Sequence, residues 1–329
     1  MYKNKGNALT AKILSSLPKN IKPTEYLMDI LNISKESAYR RLRNEIPFTF
    51  EEITKIVLDL NFSVDEVISL GNHSQASFLV DIGQQEDDYP AFEKTIRDYY
   101  HGLMSLSNAD NTEVVVAMNS ILPFFFTDFD SLFRFAYFKS MQKNSKIPLK
   151  NTFADINLPY ELKEVQKVIN QQLQYCTKGI TVIIDSNIVT NLINEILYFY
   201  KRKLIMKEEL QALKNDMLKM MDIVEEMAQT GYLNNSLEVN IYLSFINIDA
   251  NSLYMKCDDK EFSSFHLYNM APLTTNNHSI CSLHKKKIES LKKYSRLITQ
   301  SNEIIQAAFF DKQRENINLI EEKNIDITF

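Results

Sequence analysis

Residues 24–44 constrain the fold of this chain more than any other stretch. Three apolar residues are spaced three and four apart, which gives a helix one apolar face: Leu27, Ile30 and Leu31. Asn32 follows, and asparagine tolerates the left-handed conformation that ends a helix. Ser34 is a good N-cap for a second helix over residues 35–44. The sequence therefore predicts two short helices joined by a tight turn, and the second helix is rich in arginine.

Three further helices are expected around this pair. Residues 7–17 carry leucine and isoleucine on one helical face. Thr49 followed three residues later by Glu52 forms the sequence pattern of a capping box, which begins a fourth helix. Ser63 and Glu66 repeat the pattern and predict a fifth helix that ends at Gly71. The first 72 residues are therefore expected to form a small five-helix domain.

This pattern resembles the helix-turn-helix of the Cro/C1-type (XRE, lambda-repressor-like) family of regulators. The residues that match the family pattern are Leu27, Leu31, Ile33, Ser34, Ser37 and Arg40, then Ile53, Ile56, Val57, Leu60, Phe62, Ser63, Asp65, Glu66, Val67 and Ile68. Met28 stands where the family has a small alanine, and Asn32 stands where it has a turn glycine. The resemblance covers roughly the first 70 residues and implies a DNA-binding domain over residues 1–72.

A recognition helix reads DNA because the major groove admits an α-helix and displays a distinct donor and acceptor pattern for each base pair. The candidates for contacts with base edges are Lys35, Glu36, Ser37, Tyr39 and Arg40. Arg41 and Arg43 are expected to contact phosphate or to pair with Glu45 and its neighbours. Thr24 matches the phosphate-contacting position of the family. For each arginine the alternative is a solvated surface charge.

Charge is unevenly distributed along the chain. The formal net charge is -5, which argues against a wholly basic nucleic-acid binder. Residues 1–43 contain nine Lys/Arg and three Asp/Glu, whereas residues 44–70 contain one Lys and six Asp/Glu. A basic front and an acidic back would orient the first domain on a polyanion.

The compartment is expected to be the cytoplasm. The three cysteines, Cys176, Cys257 and Cys281, form an odd set without paired spacing, which favours free thiols in a reducing environment. The N-terminus shows no signal-peptide pattern. The phenylalanine-rich residues 121–141 contain two aspartates and an arginine, so they do not resemble a membrane span. No membrane association is expected.

Beyond a linker at residues 73–90, residues 91–329 are expected to form an α+β regulatory and dimerisation domain, so that the whole chain is mainly α. Within the linker, Phe78, Leu79 and Val80 could form a strand or an anchor. Predicted helices span residues 91–106, 160–173, 187–230 with a break, and residues from 282 onward. Predicted strands span residues 113–118 and 179–184, and a small antiparallel meander of three strands is expected at 239–245, 253–255 and 262–268.

The long amphipathic helix within residues 187–230 carries apolar residues spaced alternately by four and three. They are Met206, Leu210, Leu213, Met217, Met220, Val224 and Met227. A seam of this kind, from Leu210 to Met227, would suit a dimerisation helix. The alternative is a bundle helix inside one subunit, which the additional apolar residues Met221 and Ile223 favour.

Two other groups have alternative interpretations. Residues 124–138 contain eight aromatic side chains, which could line a ligand pocket, although ordinary core packing is favoured: Phe124, Phe125, Phe126, Phe129, Phe133, Phe135, Tyr137 and Phe138. His278, Cys281 and His284 lie close in sequence, but their spacing matches no zinc pattern, and no metal or cofactor is expected. No nucleotide-binding or hydrolase motif is present, so no catalytic residue is nominated and the chain is not expected to be an enzyme.

The sequence thus predicts a sequence-specific DNA-binding transcriptional regulator. It would bind double-stranded DNA as a homodimer and respond through its larger domain to an unknown small-molecule or protein effector. The alternative is a protein–protein interaction module, antitoxin-like or an adaptor, with a vestigial helix-turn-helix. The acidic residues 44–70 support that alternative. A third possibility, an enzyme in the C-terminal domain regulated by DNA binding, lacks any motif.

Overall fold

The computed structural model describes residues 3–18, 21–60, 62, 64, 67, 78–80, 88–143, 151–174, 176, 178–266 and 272–320. The chain divides into two compact units, Met1–Phe78 and Leu79–Phe329. The division falls inside the predicted linker, residues 73–90. Leu79 and Val80 form a strand that pairs with residues 273–274, so this short apolar segment belongs to the sheet of the second unit.

The first unit is helical. Its helices are α1 (Lys3–Ser16), α2 (Pro23–Leu31), α3 (Lys35–Leu42) and α4 (Phe50–Leu60). The residues that would form the capping box and the end of the predicted fifth helix, Ser63, Glu66 and Gly71, lie outside the described residues. The buried core contains Leu9, Ile13, Leu27, Leu31, Ala38, Ile56, Phe62 and Val67. Each of the four helices therefore contributes to one small core.

The ends of these helices follow from local sequence. Asn32 adopts the predicted left-handed conformation (φ 53, ψ 51), and its N–H donates to the carbonyl of Met28. The Ser34 hydroxyl accepts a hydrogen bond from the N–H of Ser37 at 3.3 Å, which confirms it as the cap of α3. The capping box of α4 is also confirmed: the Thr49 N–H donates to Glu52 and the Glu52 N–H donates to the Thr49 hydroxyl. The caps at Asn32 and Ser34 fix the three-residue connection between α2 and α3.

The second unit combines helices with a large sheet. Its strands are β1 (Leu79–Val80), β2 (Thr112–Met118), β3 (Ile180–Asp185), β4 (Tyr232–Leu233), β5 (Leu237–Ser244), β6 (Asn251–Cys257), β7 (Lys260–His266), β8 (Leu273–Thr275) and β9 (Ser295–Leu297). Its helices are α5 (Asp88–Asn108), α6 (Asp130–Lys143), α7 (Tyr160–Leu173), α8 (Ile188–Lys201), α9 (Lys207–Thr230), α10 (His278–Lys293) and α11 (Glu303–Asn318). The chain is mainly helical, as predicted, but its sheet is larger than predicted.

The sheet is large and mixed, so the prediction of a small antiparallel meander of three strands is correct only for its last two strands. The strand order is β1-β8-β7-β6-β2-β3-β5-β4, with β9 paired to β5. β6 and β7 form an antiparallel hairpin, but β5 lies parallel to β3, and β2 and β3 separate it from β6. The alternation of apolar residues along a strand indicates which side chains face a core, but it does not indicate which other strand pairs with it. The adjacent strands β2, β3 and β5 are mostly apolar and buried, as is typical of parallel strands covered on both faces.

The two faces of the sheet carry different cores. The larger core contains alternate residues of the central strands, such as Val114 and Val116, together with side chains from α5 to α9 and α11. On the opposite face, Val115 and Ala117 pack in a smaller core with residues of α10, including Cys281 and Ile288. In the described part of the chain, α10 is the helix that contributes to this smaller core.

The predicted dimerisation seam is buried inside one chain. Leu210, Leu213, Met217 and Met220 of α9 are at most 4% exposed and lie in the larger core. Val224 and Met227 are half-buried and pack against the same core. Helices α6 and α11 pack beside α9. Dimerisation through these six residues is therefore a wrong interpretation, because their apolar surface is already buried, and the bundle-helix alternative is supported.

The aromatic segment is also part of the larger core. Six of its eight rings are buried: Phe126, Phe129, Phe133, Phe135, Tyr137 and Phe138. The Phe138 ring lies edge-on to the rings of Phe153 and Phe199, with centroid distances of 5.6 and 5.0 Å. Core packing, the favoured interpretation, is confirmed for this segment.

Within the described residues, no helix is both long enough and apolar enough to cross a membrane.

Candidate nucleic-acid interface

The outer face of α3 is polar and exposed. Four of its side chains project to solvent, and so does that of Arg43, which caps its C-terminal end: the four are Lys35, Glu36, Tyr39 and Arg40. Together with Glu45 they line one open depression in the surface of the first unit. The opposite side of the helix carries Ala38, which is fully buried in the core. The helix therefore has one face that packs and one face that is available to a partner.

Glu45 lies close to two of the exposed cations. The Arg40 Nε is 3.6 Å from one Glu45 oxygen, and the Arg43 Nη1 is 3.9 Å from the other. Both arginine side chains are more than half exposed, and pairs of this kind contribute roughly 0–1 kcal/mol. The Arg43 guanidinium also lies 5.9 Å from the centre of the Tyr39 ring. These contacts hold the two arginines only weakly, so a stronger anionic partner can replace Glu45.

Arg41 points inward and pairs with a carboxylate, which was one of its two predicted roles, but its partner is Glu52 and not Glu45. Its Nε and Nη2 donate to the two carboxylate oxygens of Glu52 at 3.0 and 2.6 Å, and its Nη1 donates to the Ser37 hydroxyl at 2.5 Å. The Arg41 side chain is 12% exposed. A fork of two parallel hydrogen bonds is the strongest geometry available to an arginine and a carboxylate. Arg41 therefore fixes α3 against α4, and it also holds Ser37, which is half-buried.

The carboxyl group of Glu52 reflects this arrangement. Burial alone would raise its pKa, but hydrogen bonds from Arg41 and from Thr49 outweigh burial and hold the pKa below its ordinary value. Glu52 is therefore an anion at neutral pH, with both oxygens occupied by donors inside the first unit.

Thr24 is also placed differently from its prediction. It is 9% exposed and is one of the buried residues of α2, so little of its side chain is available for the predicted phosphate contact. Its backbone N–H belongs to the first turn of the helix, where amide groups have no carbonyl partner within the helix. A phosphate contact at Thr24 would have to use this amide.

The side chains of the two histidines and the cysteine of α10 do not point to a common site, because each has a different partner. The Nδ1 of His278 is hydrogen-bonded to the Glu261 carboxylate, the Nδ1 of His284 lies 2.9 Å from the Ser263 hydroxyl, and the Cys281 thiol donates to a backbone carbonyl. Among the described residues, no group of three or more His, Cys, Asp and Glu side chains could hold a metal ion. All three cysteines are free thiols.

Glu52 was missed as a functional residue by sequence reasoning, which assigned it only to the capping box. Arg41 and Glu52 are eleven residues apart and lie on different helices, so no helical spacing relates them. The sequence does show three arginines beside three carboxylates in residues 40–52, which indicates that some of these charges pair. The identity of the pairs depends on how α4 packs against the other helices.

Comparison with known proteins gives no match: the sequence fits no family model and no curated protein, and the structure resembles no solved structure.

Proposed function

We propose that this chain is a sequence-specific DNA-binding transcriptional regulator, and that α2 and α3 form a helix-turn-helix of the Cro/C1 (XRE) kind. The observation that supports this proposal is the arrangement of α3. Its outer face presents exposed polar side chains, while Ala38 and the Arg41–Glu52 pair hold its inner face. A helix fixed in this way can enter the major groove without reorganising, so less ordering entropy is lost on binding.

The exposed residues have suitable chemistry for reading bases. Arg40 would donate to O6 and N7 of a guanine, and Glu36 would accept from the N4 amino group of a cytosine. Lys35 and Tyr39 lie on the same face and can donate to base edges or phosphates. Arg43, at the C-terminal end of α3, would contact phosphate once it leaves Glu45. The amide of Thr24 at the start of α2 would hold another phosphate.

The regulator would bind as a homodimer, since one helix alone gives little affinity and symmetric dimers occupy two half-sites about one helical turn apart. We propose that the second unit supplies the contact between copies and responds to a small-molecule or protein effector. The contact would use a surface other than the buried seam of α9.

Substitution of Arg40 tests the proposed reading helix. The probe is a duplex recovered by selection from a random pool with the full-length chain. On that duplex, Arg40→Ala should weaken binding by about 1–3 kcal/mol and relax the preference at one base pair in each half-site. The matched control is Lys55→Ala, which removes an exposed cation from α4 and should leave the affinity nearly unchanged. Unaltered binding by the Arg40 variant would rule out α3 as the reading helix.

A protein–protein interaction module is the second candidate, and α4 supplies an observation in its favour. Phe50 and Leu58 are 80% and 76% exposed on this helix. Large apolar side chains at this exposure are typical of contact surfaces when they are clustered. Salt dependence separates the two candidates, because a DNA binder releases counterions from phosphate and loses affinity steeply as salt rises. A protein partner that docks on Phe50 and Leu58 would show little salt dependence.

A further inference from the structure

The second unit carries a cationic surface that the proposed function does not use. Helix α10 contains five lysines and one glutamate, and Arg296 follows in β9. The members of this set, called the α10 basic surface below, are Lys285, Lys286, Lys287, Lys292, Lys293 and Arg296. Residues 278–296 therefore carry a formal charge of +5 in a chain whose total is -5. Residues 1–43 carry +6, so the rest of the chain carries -16.

The packing of α10 turns these cations outward. Cys281, His284 and Ile288 are buried against the sheet, and they lie three and four residues apart on one side of the helix. Lys286 and Lys293 are seven residues apart, so they lie on one face about two turns from each other, opposite this buried side. Lys286, Lys287 and Lys293 are all exposed. In the described part of the chain, none of these three lysines has a carboxylate within ion-pair distance.

The neighbouring charges leave most of this surface cationic. Lys285 is paired with Glu113 of β2 at 2.5 Å, and the Lys292 ammonium lies 4.8 Å from the centre of the Tyr242 ring. Glu289 is on the same helix, three or four residues from four of the lysines, yet within the described residues it forms no ion pair. Like charges this close repel each other, so the cluster opposes folding unless a polyanion offsets it. Tyr294, 65% exposed, adds an aromatic ring at the end of α10.

We infer that the α10 basic surface binds the phosphate backbone of duplex DNA, outside the base pairs read by α3. The inference rests on the proposed function, because the partner it names is the same polyanion. Charge complementarity supports this choice: two cationic segments in an otherwise acidic chain suit a ligand that is a continuous anion. Lysines contact phosphates as point charges and carry no base information. Because both units are on one chain, binding by one raises the effective concentration of DNA at the other.

The salt dependence of duplex binding tests the inference. The full-length chain is titrated with a long duplex of mixed sequence at several salt concentrations. The triple variant Lys286→Gln, Lys287→Gln and Lys293→Gln should reduce the slope of log affinity against log salt by about 2–3, since each phosphate contact contributes about 0.9. The matched control replaces Lys163, Lys201 and Lys207, which are exposed on other helices of the same unit, and it should keep the wild-type slope. A triple variant with the wild-type slope would overturn the inference.

A second variant tests whether the effect of the triple variant comes from lost charge or from a folding defect. Glu289→Gln removes the one carboxylate on α10 and should strengthen binding by about two- to fivefold at low salt. A gain in affinity by a variant that stays folded therefore reports on charge. Unchanged or weaker binding by a folded Glu289 variant would overturn the inference. The inference would also be overturned if the triple variant changed binding to anionic phospholipid vesicles but not binding to the duplex.

The two proposals fail in different ways. If Arg40→Ala relaxes the preference at one base pair of each half-site and the lysine variants have no effect, the α10 inference fails and the proposed function stands. If the lysine variants reduce the slope and Arg40→Ala changes nothing, α3 is not the reading helix and the α10 surface stands. A wild-type chain that binds no duplex at any salt concentration overturns both.

Discussion

At the scale of single residues, the three arginines of α3 have two different roles. Arg40 and Arg43 are exposed and weakly paired with Glu45, whereas Arg41 is held by Glu52 and Ser37. The sequence identifies all three as cations on one helix. It cannot assign these roles, because which arginine turns inward is decided by the position of Glu52 on α4, eleven residues after Arg41.

Arg41→Ala should therefore reduce the stability of the first unit. It leaves the Glu52 carboxylate half-buried without its strongest donors, which costs about 2 kcal/mol. The opening free energy from hydrogen exchange of the Ala38 and Ile56 amides measures this loss, since both residues lie in the buried core. The control Arg43→Ala removes an exposed cation and should change that free energy by less than about 0.5 kcal/mol. Equal effects of the two variants would mean that the Glu52 pair contributes nothing.

His284 makes the stability of the second unit depend on pH. The side chain lies against the Phe265 ring, with centroids 4.4 Å apart, and burial lowers the pKa of His284 to about 4 from an ordinary value of 6.5. Because the folded pKa is lower than the unfolded one, the stabilising contribution is complete above pH 6.5. It is lost progressively as pH falls from 6.5 towards 4.

Substitution of His284 separates its contribution to the pH dependence of stability from the titration of other groups. In urea denaturation at a series of pH values, His284→Gln should lose less stability than the wild type between pH 6.5 and pH 4. The difference between the two curves should reach a slope of about one proton, or about 1.4 kcal/mol per pH unit. Parallel curves for the two proteins would show that the histidine is not held neutral by burial.

At the scale of helices and strands, local sequence signals predict where an element lies better than they predict which other elements it packs against. The sequence predicts a helix at residues 160–173, and α7 spans Tyr160–Leu173, because it starts after Pro159 and has a regular apolar face. Short apolar β-branched runs likewise predict strands β2 and β3. The partner of β5 could not be predicted, since β3 lies more than 50 residues earlier and its pairing depends on how the intervening α8 and α9 pack.

The apolar seam of α9 is a second element whose packing partner cannot be predicted from local sequence. A repeat of three and four residues fits a coiled coil and a bundle helix equally well. Because Leu213 is fully buried in its own unit, Leu213→Ala should lower the unfolding free energy by about 2–5 kcal/mol. The oligomeric state of the folded protein, measured by sedimentation, should not change. The exposed neighbour Gln211→Ala is the control. Dissociation of an oligomer by Leu213→Ala, without a loss of unfolding free energy, would restore the seam as an interface.

At the scale of the whole molecule, positive charge is concentrated in two segments of an acidic chain, residues 1–43 and residues 278–296. The outer face of α3 carries three cations and, with Glu45, two anions, so its positive excess is small. Affinity for DNA from this face alone would be modest, because phosphate neutralisation dominates binding. The α10 basic surface would supply further cations, so that α3 provides selectivity and α10 provides affinity. The net charge of -5 conceals this division.

Selection of bound duplexes from a random pool, at low and high salt and with both the wild type and Arg40→Ala, tests the central claim most directly. We predict that the wild type enriches a palindrome with half-sites about 10 base pairs apart, centre to centre. The Arg40 variant should lose the preference at one position of each half-site. No enriched sequence at either salt concentration, or the same sequence from both proteins, would contradict a regulator that reads DNA with α3.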